Sequence, residues 1–465
     1  MKYLIFPLML LLGGCMVGPK YVKPDVPIAP AFKEGDGWKT ATPNDQALRG
    51  DWWTMFQDPQ LNALEIQVDS ANQTLKAAEA NYRAARAAIL FSRAQLKPTI
   101  GTEPGIAAVH ETVGQTASGQ TVQAGPGSIS LPIDLGWELD LWGRLRRGVT
   151  SAREQAQASA ADLENARLSL HAELAVDYFE LRSADAQTKL LNETIKAYTQ
   201  ALQLTQDRFE GGAAPESDVT QARTQLDTAR VQQTDVGVMR AEYEHAIAIL
   251  TGKPPADLTL PPAAVSAAIP DIPGAVPSQL LERRPDIAAE ERRMAAANEQ
   301  IGIAKAAYYP EVSLSALGGV AGGFWPGAMW AVGPTLAQTI FDGGRRRATS
   351  QIALENYDAA VANYRQTALT AFQQVEDNLA ALRVLETETQ QQKDATASAE
   401  QSLDLFQTRY EGGVDTYLQV VTWQTAALLN ERAEIDLMRR RLDASVLLIK
   451  ALGGGWDSTR LIALK

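Results

Sequence analysis

The stretch RFEGGAAPESDV at positions 208–219 returns in altered form as RYEGGVDTYLQV at positions 409–420. Two further pairs of positions have the same spacing of 201 residues: Gly143-Arg144 with Gly344-Arg345, and Gly252 with Gly453. Three matches at one offset are difficult to obtain by chance and indicate a tandem duplication. The chain is therefore predicted to contain two copies of one structural unit.

Each copy is predicted to hold two long helices joined by a tight turn, over 143–252 and 344–453. From Arg144 to Arg208 there is no proline and no glycine except Gly148, so the first helix is expected to be roughly 100 Å long. Small and apolar residues recur along it at alternating steps of three and four, which is the heptad pattern of a coiled coil. In the first copy these are Leu181, Ala184, Thr188, Leu191, Ile195, Tyr198, Leu202, Thr205 and Phe209.

The tip turns contain the glycine pairs Gly211-Gly212 and Gly412-Gly413. Glycine relieves the left-handed conformation that a chain adopts just beyond a helix C-terminus. Short polar side chains follow each turn and are predicted to cap the returning helix. The candidates are Ser217 or Asp218 in the first copy and Asp415 or Thr416 in the second.

A period of two, typical of β-strands, lies before each long helix, within 99–142 and 311–343. Apolar residues alternate with polar or small ones, and they are Ile129, Leu131, Ile133, Leu135, Trp137, Val312, Leu314 and Ala316. Each copy is therefore expected to form a β-hairpin with one apolar face, in which Pro132 and Pro334 mark bulges or strand ends. The alternation alone is also consistent with a half-buried sheet in a soluble core.

The remaining segments have simpler patterns. Helices are predicted over 59–98, with Asp58 as the N-cap, and over 285–310. The proline-rich stretches 15–58 and 253–284 are expected to lie along the outside, and residues 454–465 form a C-terminal tail.

Each long helix opens with a cluster of arginines. The clusters are Arg144, Arg146 and Arg147 in the first copy and Arg345, Arg346 and Arg347 in the second. They are either ordinary surface charges or, if the hairpins lie in a membrane, side chains at the depth of the lipid phosphates.

The start of the chain predicts export. Residues 1–14 combine a lysine, a short apolar run and small residues, as a secretory signal does, and LGGC at 12–15 is similar to a bacterial lipoprotein signal with Cys15 as the acylated residue. Met16, rather than aspartate, follows Cys15 and favours sorting to the outer membrane.

Composition excludes several classes of function. A single cysteine forms no intrachain disulfide and no cysteine metal site, and His110, His171 and His245 share no ligand spacing and are expected to occupy ordinary positions. A net charge of −12 argues against nucleic-acid binding. With no nucleophile–base pairing and no phosphate loop, the chain is predicted not to be an enzyme and to need no metal or cofactor.

Four segments together carry a resemblance over nearly the whole chain. GPKYVKP at 18–24, DWWTMFQDPQLNAL at 51–64, ERRPDI at 282–287 and AANEQIGIAKAAYYPEVSLSA at 296–316 resemble the lipoprotein branch of the TolC-like outer membrane factors. The resemblance implies a mainly α-helical homotrimer in which four strands per chain form a shared 12-stranded membrane β-barrel. Long coiled-coil helices would continue the barrel as a periplasmic tunnel, with the proline-rich segments at its equator.

The same resemblance implies function and site residues. Such channels dock with a periplasmic adaptor and an inner-membrane pump to export drugs or other toxic small molecules. The tip turns would form the periplasmic mouth, with a latch between Tyr410 and Asp218, Arg409 as a second latch candidate, and the gate residues Leu418, Gln419 and Thr422. Family members often carry acidic residues at the last two positions, which here are uncharged, so an apolar constriction by Leu418 is expected.

Three alternatives stay open. Tyr410 and Asp218 are also consistent with packing and capping. A duct for type I protein secretion would have the same architecture. A periplasmic coiled-coil adaptor belongs to a different class, but it would show one helical hairpin with flanking β-domains.

Overall fold

The computed structural model describes residues 16–26, 29, 31–35, 50–107, 128–264, 267–270, 272, 283–322 and 327–456. The signal at 1–14, Cys15, His110, residues 457–465 of the tail and parts of both proline-rich segments and both hairpin tips lie outside the described residues. The chain divides into two compact units. Unit 1 contains Met1–Asp25, Asn81–Ala160 and Ala289–Arg365, and unit 2 contains Val26–Ala80, Ala161–Ala288 and Gln366–Lys465.

The described residues form seven α-helices, and the two longest pairs repeat. The helices are α1 (Pro59–Ala71), α2 (Gln73–Ala94), α3 (Arg144–Glu210), α4 (Glu216–Leu250), α5 (Pro285–Ala306), α6 (Arg345–Glu411) and α7 (Tyr417–Ala451). Both α3 and α6 have 67 residues, and both α4 and α7 have 35. Each helix of the second pair begins 201 residues after its counterpart, as the duplication predicts. Short 3-10 helices occupy Lys33–Gly35, Trp52–Phe56 and Pro255–Asp257.

The single helix predicted over 59–98 is wrong, because the helix is broken at Asn72. This residue has an extended ψ of 126°, and its Oδ1 accepts a hydrogen bond of 3.0 Å from the amide of Leu75, which caps α2. Its Nδ2 donates to the carbonyl of Leu250, at the end of α4. The predicted cap of α1 is confirmed, since Asp58 Oδ1 accepts from the amides of Gln60 and Leu61.

The heptad pattern of α3 is largely buried within unit 2. Leu181 and Leu191 are fully buried, and Tyr198 packs with Leu226 and Ala229 of α4. Phe209 departs from the prediction, because 45% of it is exposed where α3 ends. The pattern therefore describes the helix interface well until the last turn.

A sheet in unit 1 joins the two copies. Its strands are β1 (Thr99–Gly101), β2 (Gly105–Ala107), β3 (Ser128–Leu139), β4 (Glu311–Gly322) and β5 (Gly327–Ala337). All pairings are antiparallel, in the order β1-β3-β4-β5, and β2 pairs with β3 further along the same edge as β1. β1 and β2 are thus two pieces of one interrupted strand position.

The register places the predicted apolar residues on one face. Directly paired residues point to the same side of a sheet, and Leu135 pairs with Ala316, which pairs with Val332. Leu139, Val312 and Leu336 form a second such row. The prediction of an apolar face is confirmed, and the β3–β4 pairing makes it continuous across both copies.

The two prolines lie inside strands, so the prediction of bulges or strand ends is wrong. Pro132 lies opposite residues 102–104, between the end of β1 at Gly101 and the start of β2 at Gly105. Because the neighbouring strand is interrupted there, the absence of an N–H at Pro132 removes no hydrogen bond from the sheet. Pro334 lies in β5, an edge strand of the described sheet. Proline is tolerated at such positions.

None of the described helices is both long enough and apolar enough to cross a bilayer.

Candidate functional site at the helix tips

The two tip turns share one backbone conformation. Gly212 has a φ of 70° and Gly413 a φ of 73°, in the left-handed region that favours glycine. The amide of Ala213 donates to the carbonyl of Arg208 at 2.7 Å, and the amide of Val414 donates to that of Arg409 at 2.9 Å. These bonds satisfy carbonyls at the ends of α3 and α6, as the repeated glycine pairs predict.

Neither returning helix has the predicted side-chain cap. The N-cap residue of α4 is Pro215 and that of α7 is Thr416, and neither side chain bonds to the helix. Ser217 and Asp218 instead lie in the first turn of α4. An acidic side chain in a first turn still interacts favourably with the helix dipole.

The latch candidates Tyr410 and Asp218 lie together. The Tyr410 hydroxyl is 3.5 Å from Asp218 Oδ2, at the outer limit of a hydrogen bond. Tyr410 is 4% exposed and packs against Ala222, Tyr417 and Val420. Burial raises the pKa of Asp218, with the bond to Tyr410 acting in the opposite direction. The structure therefore contains both features left open by the sequence, a cross-copy contact and a packed tyrosine.

Arg409, the second latch candidate, does not join the two copies. Its Nε is paired with Asp415 Oδ2 of its own turn, and 54% of the arginine side chain is exposed. Within one chain Arg409 therefore bonds only to its own turn among the contacts described, and its role as a latch stays a prediction.

Arg208 makes the cross-copy contact that sequence reasoning missed. Its Nη1 donates to the carbonyl oxygens of Tyr410 and Glu411, each at 3.0 Å. Its guanidinium carbon lies 4.7 Å from the centre of the Tyr410 ring, within the range of a cation–π interaction. The sequence feature that could have identified Arg208 is that an arginine is the first residue of both repeated motifs.

The gate candidates occupy the first turns of α7. Leu418 is 55% exposed, Thr422 is exposed one turn later, and Gln419 is half-buried. The Thr422 hydroxyl donates to the carbonyl of Leu418 at 2.8 Å. The side chains of Leu418 and Thr422 are thus exposed in the single chain. Their role in a gate stays a prediction.

The three arginines of the first cluster differ in burial and in their ion-pair partners. Arg144 is paired with Glu138, and Arg146 pairs with Asp140 at 3.0 Å. Arg147 is 3% exposed and pairs with Glu299 at 2.7 Å. A lipid-facing position is therefore wrong for Arg147, because helix packing buries it.

In the second cluster, Arg346 pairs with Asp342 at 2.7 Å, and Arg345 and Arg347 are exposed. A position at the membrane interface remains a prediction for these residues.

Comparison with known proteins decides the family. The family model of the outer membrane efflux protein matches residues 60–253 and 276–454. The chain belongs to the outer membrane efflux protein family. The two matched segments correspond to the two copies. The members of this family are channel proteins rather than enzymes. Membership of the family also locates the chain in the outer membrane.

Individual relatives of this efflux protein match along its length. The toluene efflux pump outer membrane protein TtgF of Pseudomonas putida is 33% identical over 98% of this chain and 97% of that relative. The outer membrane protein OprJ of Pseudomonas aeruginosa is 32% identical, over 98% and 96%. The solved structure of the outer-membrane channel OprN is 29% identical, covers 95% of this chain and all of that one, and superimposes with a TM-score of 0.88.

A second polar cluster of this efflux protein surrounds His171 in unit 2. Its Nδ1 lies 2.7 Å from Glu65 Oε2 and its Nε2 lies 3.4 Å from Asp69 Oδ1, while the ring stacks on Trp53. Both Glu65 and Asp69 belong to α1, so His171 of α3 joins these two helices. His171 lies within a helix, as expected, but no sequence spacing linked it to α1.

The His171 cluster borders a cavity of about 350 Å³. Its walls include Trp53, Asp69, Arg167, His171 and Trp456. Burial lowers the pKa of His171, but the neighbouring carboxylates of Asp69 and Glu65 outweigh burial and raise it to about 9. His171 therefore keeps its proton at neutral pH.

This raised pKa predicts a loss of stability in alkaline solution. The contribution of protonated His171 is complete below about pH 6.5 and is lost as the pH rises through about 9. Burial also raises the pKa of Glu65, which acts in the same direction. We expect the free energy of unfolding to fall by on the order of 2 kcal/mol between pH 6.5 and 9.5. Urea unfolding of the protein in detergent measures this change.

The substitution His171→Gln should flatten the pH dependence over that range, whereas His245→Gln, at an exposed histidine, should leave it unchanged. An equally steep loss of stability in the His171→Gln protein would contradict the assignment.

Proposed function

We propose that this protein is one subunit of a homotrimeric channel that forms the exit duct of a tripartite efflux pump. The channel exports drugs or other toxic small molecules across the outer membrane and is gated at the helix tips. The observation that carries this proposal is the sheet of unit 1, with one exposed apolar face and, among the residues that the structure describes, two unpaired edges.

The apolar face fits a lipid environment better than a soluble core. Ile133, Val332 and Leu336 are 58%, 64% and 67% exposed. The opposite face carries Ser130, Asp134 and other polar or small residues. Apolar residues toward lipid and polar residues toward the lumen are the pattern of strands in membrane barrels.

The edges of the sheet support a trimer. Among the described residues, β5 pairs only with β4, and β1 and β2 pair only with β3. Unpaired backbone groups are costly in lipid, so the edges require strands from other copies. Three chains, each with four strand positions, would close a barrel of 12 strands.

The relatives support efflux and its partners. TtgF is named as the outer membrane protein of a toluene efflux pump, and another relative, ArpC of Pseudomonas putida, as that of an antibiotic efflux pump. By analogy, we propose that a periplasmic adaptor and an inner-membrane pump complete the assembly. These names favour small molecules over secreted proteins as the cargo.

We further propose that Cys15 carries a lipid anchor after removal of residues 1–14. The adjoining Met16 packs closely on Gly143, and the Val17 amide donates to the carbonyl of Trp142 at 3.1 Å. Trp142 stacks on Tyr309 with 4.7 Å between ring centres. Tryptophan and tyrosine are enriched at membrane interfaces, so a lipid on residue 15 would begin beside such a pair.

The anchor is tested by metabolic labelling with radioactive palmitate. We expect the wild-type chain to incorporate label and the Cys15→Ala chain to incorporate none. A Met16→Ala chain serves as the control and should be labelled normally. Equal label in the Cys15→Ala and wild-type chains would exclude this anchor.

The efflux function is tested in the source bacterium. Deletion of the gene should increase accumulation of a fluorescent substrate and lower the inhibitory concentrations of several toxic compounds, because their export would be lost. Complementation with the wild-type gene should restore both measurements. Unchanged accumulation and unchanged susceptibility across a broad panel would contradict drug efflux.

The latch is tested by the conductance of single channels in planar bilayers. We expect Tyr410→Phe combined with Asp218→Ala to raise conductance, because the pair removes both partners of the cross-copy contact. A Thr220→Ala channel is the control, since the Thr220 hydroxyl bonds within α4. Conductance identical to that of the wild-type channel would eliminate this latch.

A further inference from the structure

We propose that Arg208 is the principal residue that holds the two tip turns together in the closed channel. This inference rests on the proposed function, because it assigns a control element to the same periplasmic mouth. It goes beyond the Tyr410–Asp218 latch, since Arg208 binds the main chain of the second copy rather than a particular side chain.

The target of Arg208 is the C-terminus of α6. Its Nη1 donates to the carbonyls of Tyr410 and Glu411, the last two residues of that helix. Carbonyls at a helix C-terminus carry a partial negative charge, and the Tyr410 carbonyl accepts a second bond of 2.9 Å from the Gly413 amide. A guanidinium at this point therefore gains charge-assisted hydrogen bonds and a favourable interaction with the helix dipole.

The contacts of Arg208 are closer than those of the Tyr410–Asp218 pair. The two carbonyl bonds are 3.0 Å long, whereas the hydroxyl–carboxylate distance is 3.5 Å. Arg208 also covers the ring of Tyr410. Both contacts involve a charged group, but Arg208 makes two bonds of ordinary length and the Tyr410–Asp218 pair makes one at the outer limit, so Arg208 contributes most of the polar attraction between the turns.

One difference between the copies explains why Arg208, and not Arg409, reaches across. Arg409 is paired with Asp415, six residues further along its own turn. The equivalent position in the first copy is Ala214, which has no charge. Without an acidic partner at that position, Arg208 is available for the second copy. The cross-copy contact therefore follows from the absence of one carboxylate.

Matched arginine variants test this inference by the open fraction of single channels in bilayers. Arg208→Ala should raise the open fraction by about tenfold or more, since the loss of one strong charged hydrogen bond is worth about tenfold and each of the three subunits loses this contact. Arg409→Ala removes the same side chain from the equivalent position of the other turn and should change the open fraction less than twofold. Circular dichroism verifies that both variants keep the wild-type helix content.

A second variant leaves Arg208 in place. Ala214→Asp offers Arg208 a carboxylate in its own turn, as Asp415 does for Arg409, and should also raise the open fraction. If Arg208→Ala and Arg409→Ala have equal effects, or if Ala214→Asp leaves the open fraction unchanged, the inference is overturned.

The behaviour of the wild-type protein in bilayers distinguishes a failure of the proposed function from a failure of the inference about Arg208. If the wild-type protein forms no channels in bilayers, the proposed function fails and the inference fails with it. If it forms channels that do not respond to the Arg208 variants, only the inference fails.

Discussion

The pairing of β3 with β4 is the interaction on which the rest of the fold depends. It joins a strand of the first copy to a strand of the second, and its register aligns Leu135 with Ala316 and Leu139 with Val312. A slip of one residue would turn the apolar set of one strand to the opposite face. The long helix α3 follows β3 closely along the chain, and α6 follows β5, so the same sheet positions the start of both long helices.

The long helices of the two copies have equal lengths, but the side chains at their tip turns make different contacts. Equal helices of 67 and 35 residues bring equivalent turns to the ends of both pairs. At those turns, however, Ala214 stands where the second copy has Asp415, and Asp218 stands where it has Gln419. The two turns share a backbone conformation but differ in their side chains, and this difference leaves Arg208 of the first copy bonded to the second.

Local pattern predicted the elements well, because helix length, glycine turns and strand alternation depend on neighbouring residues. It predicted less of what depends on distant partners. Asn72 breaks a helix partly through a bond to Leu250, and Pro132 fits a strand only because the opposite edge is interrupted. Arg147 and His171 are buried by partners 152 and 106 positions away. The resemblance brought Tyr410 and Asp218 together correctly, yet it did not single out Arg208, whose acceptors are main-chain carbonyls.

Because the acceptors of Arg208 are main-chain carbonyls, the two sides of this contact are under different constraints in evolution. Every residue type carries a carbonyl, so the identities of residues 410 and 411 can drift without removing the acceptors of Arg208. The donor has no such freedom, because only a side chain with its reach and charge makes both bonds. The two sides of this contact are therefore constrained unequally, because the bonds require the side chain of Arg208 but set no requirement on the side chains of residues 410 and 411.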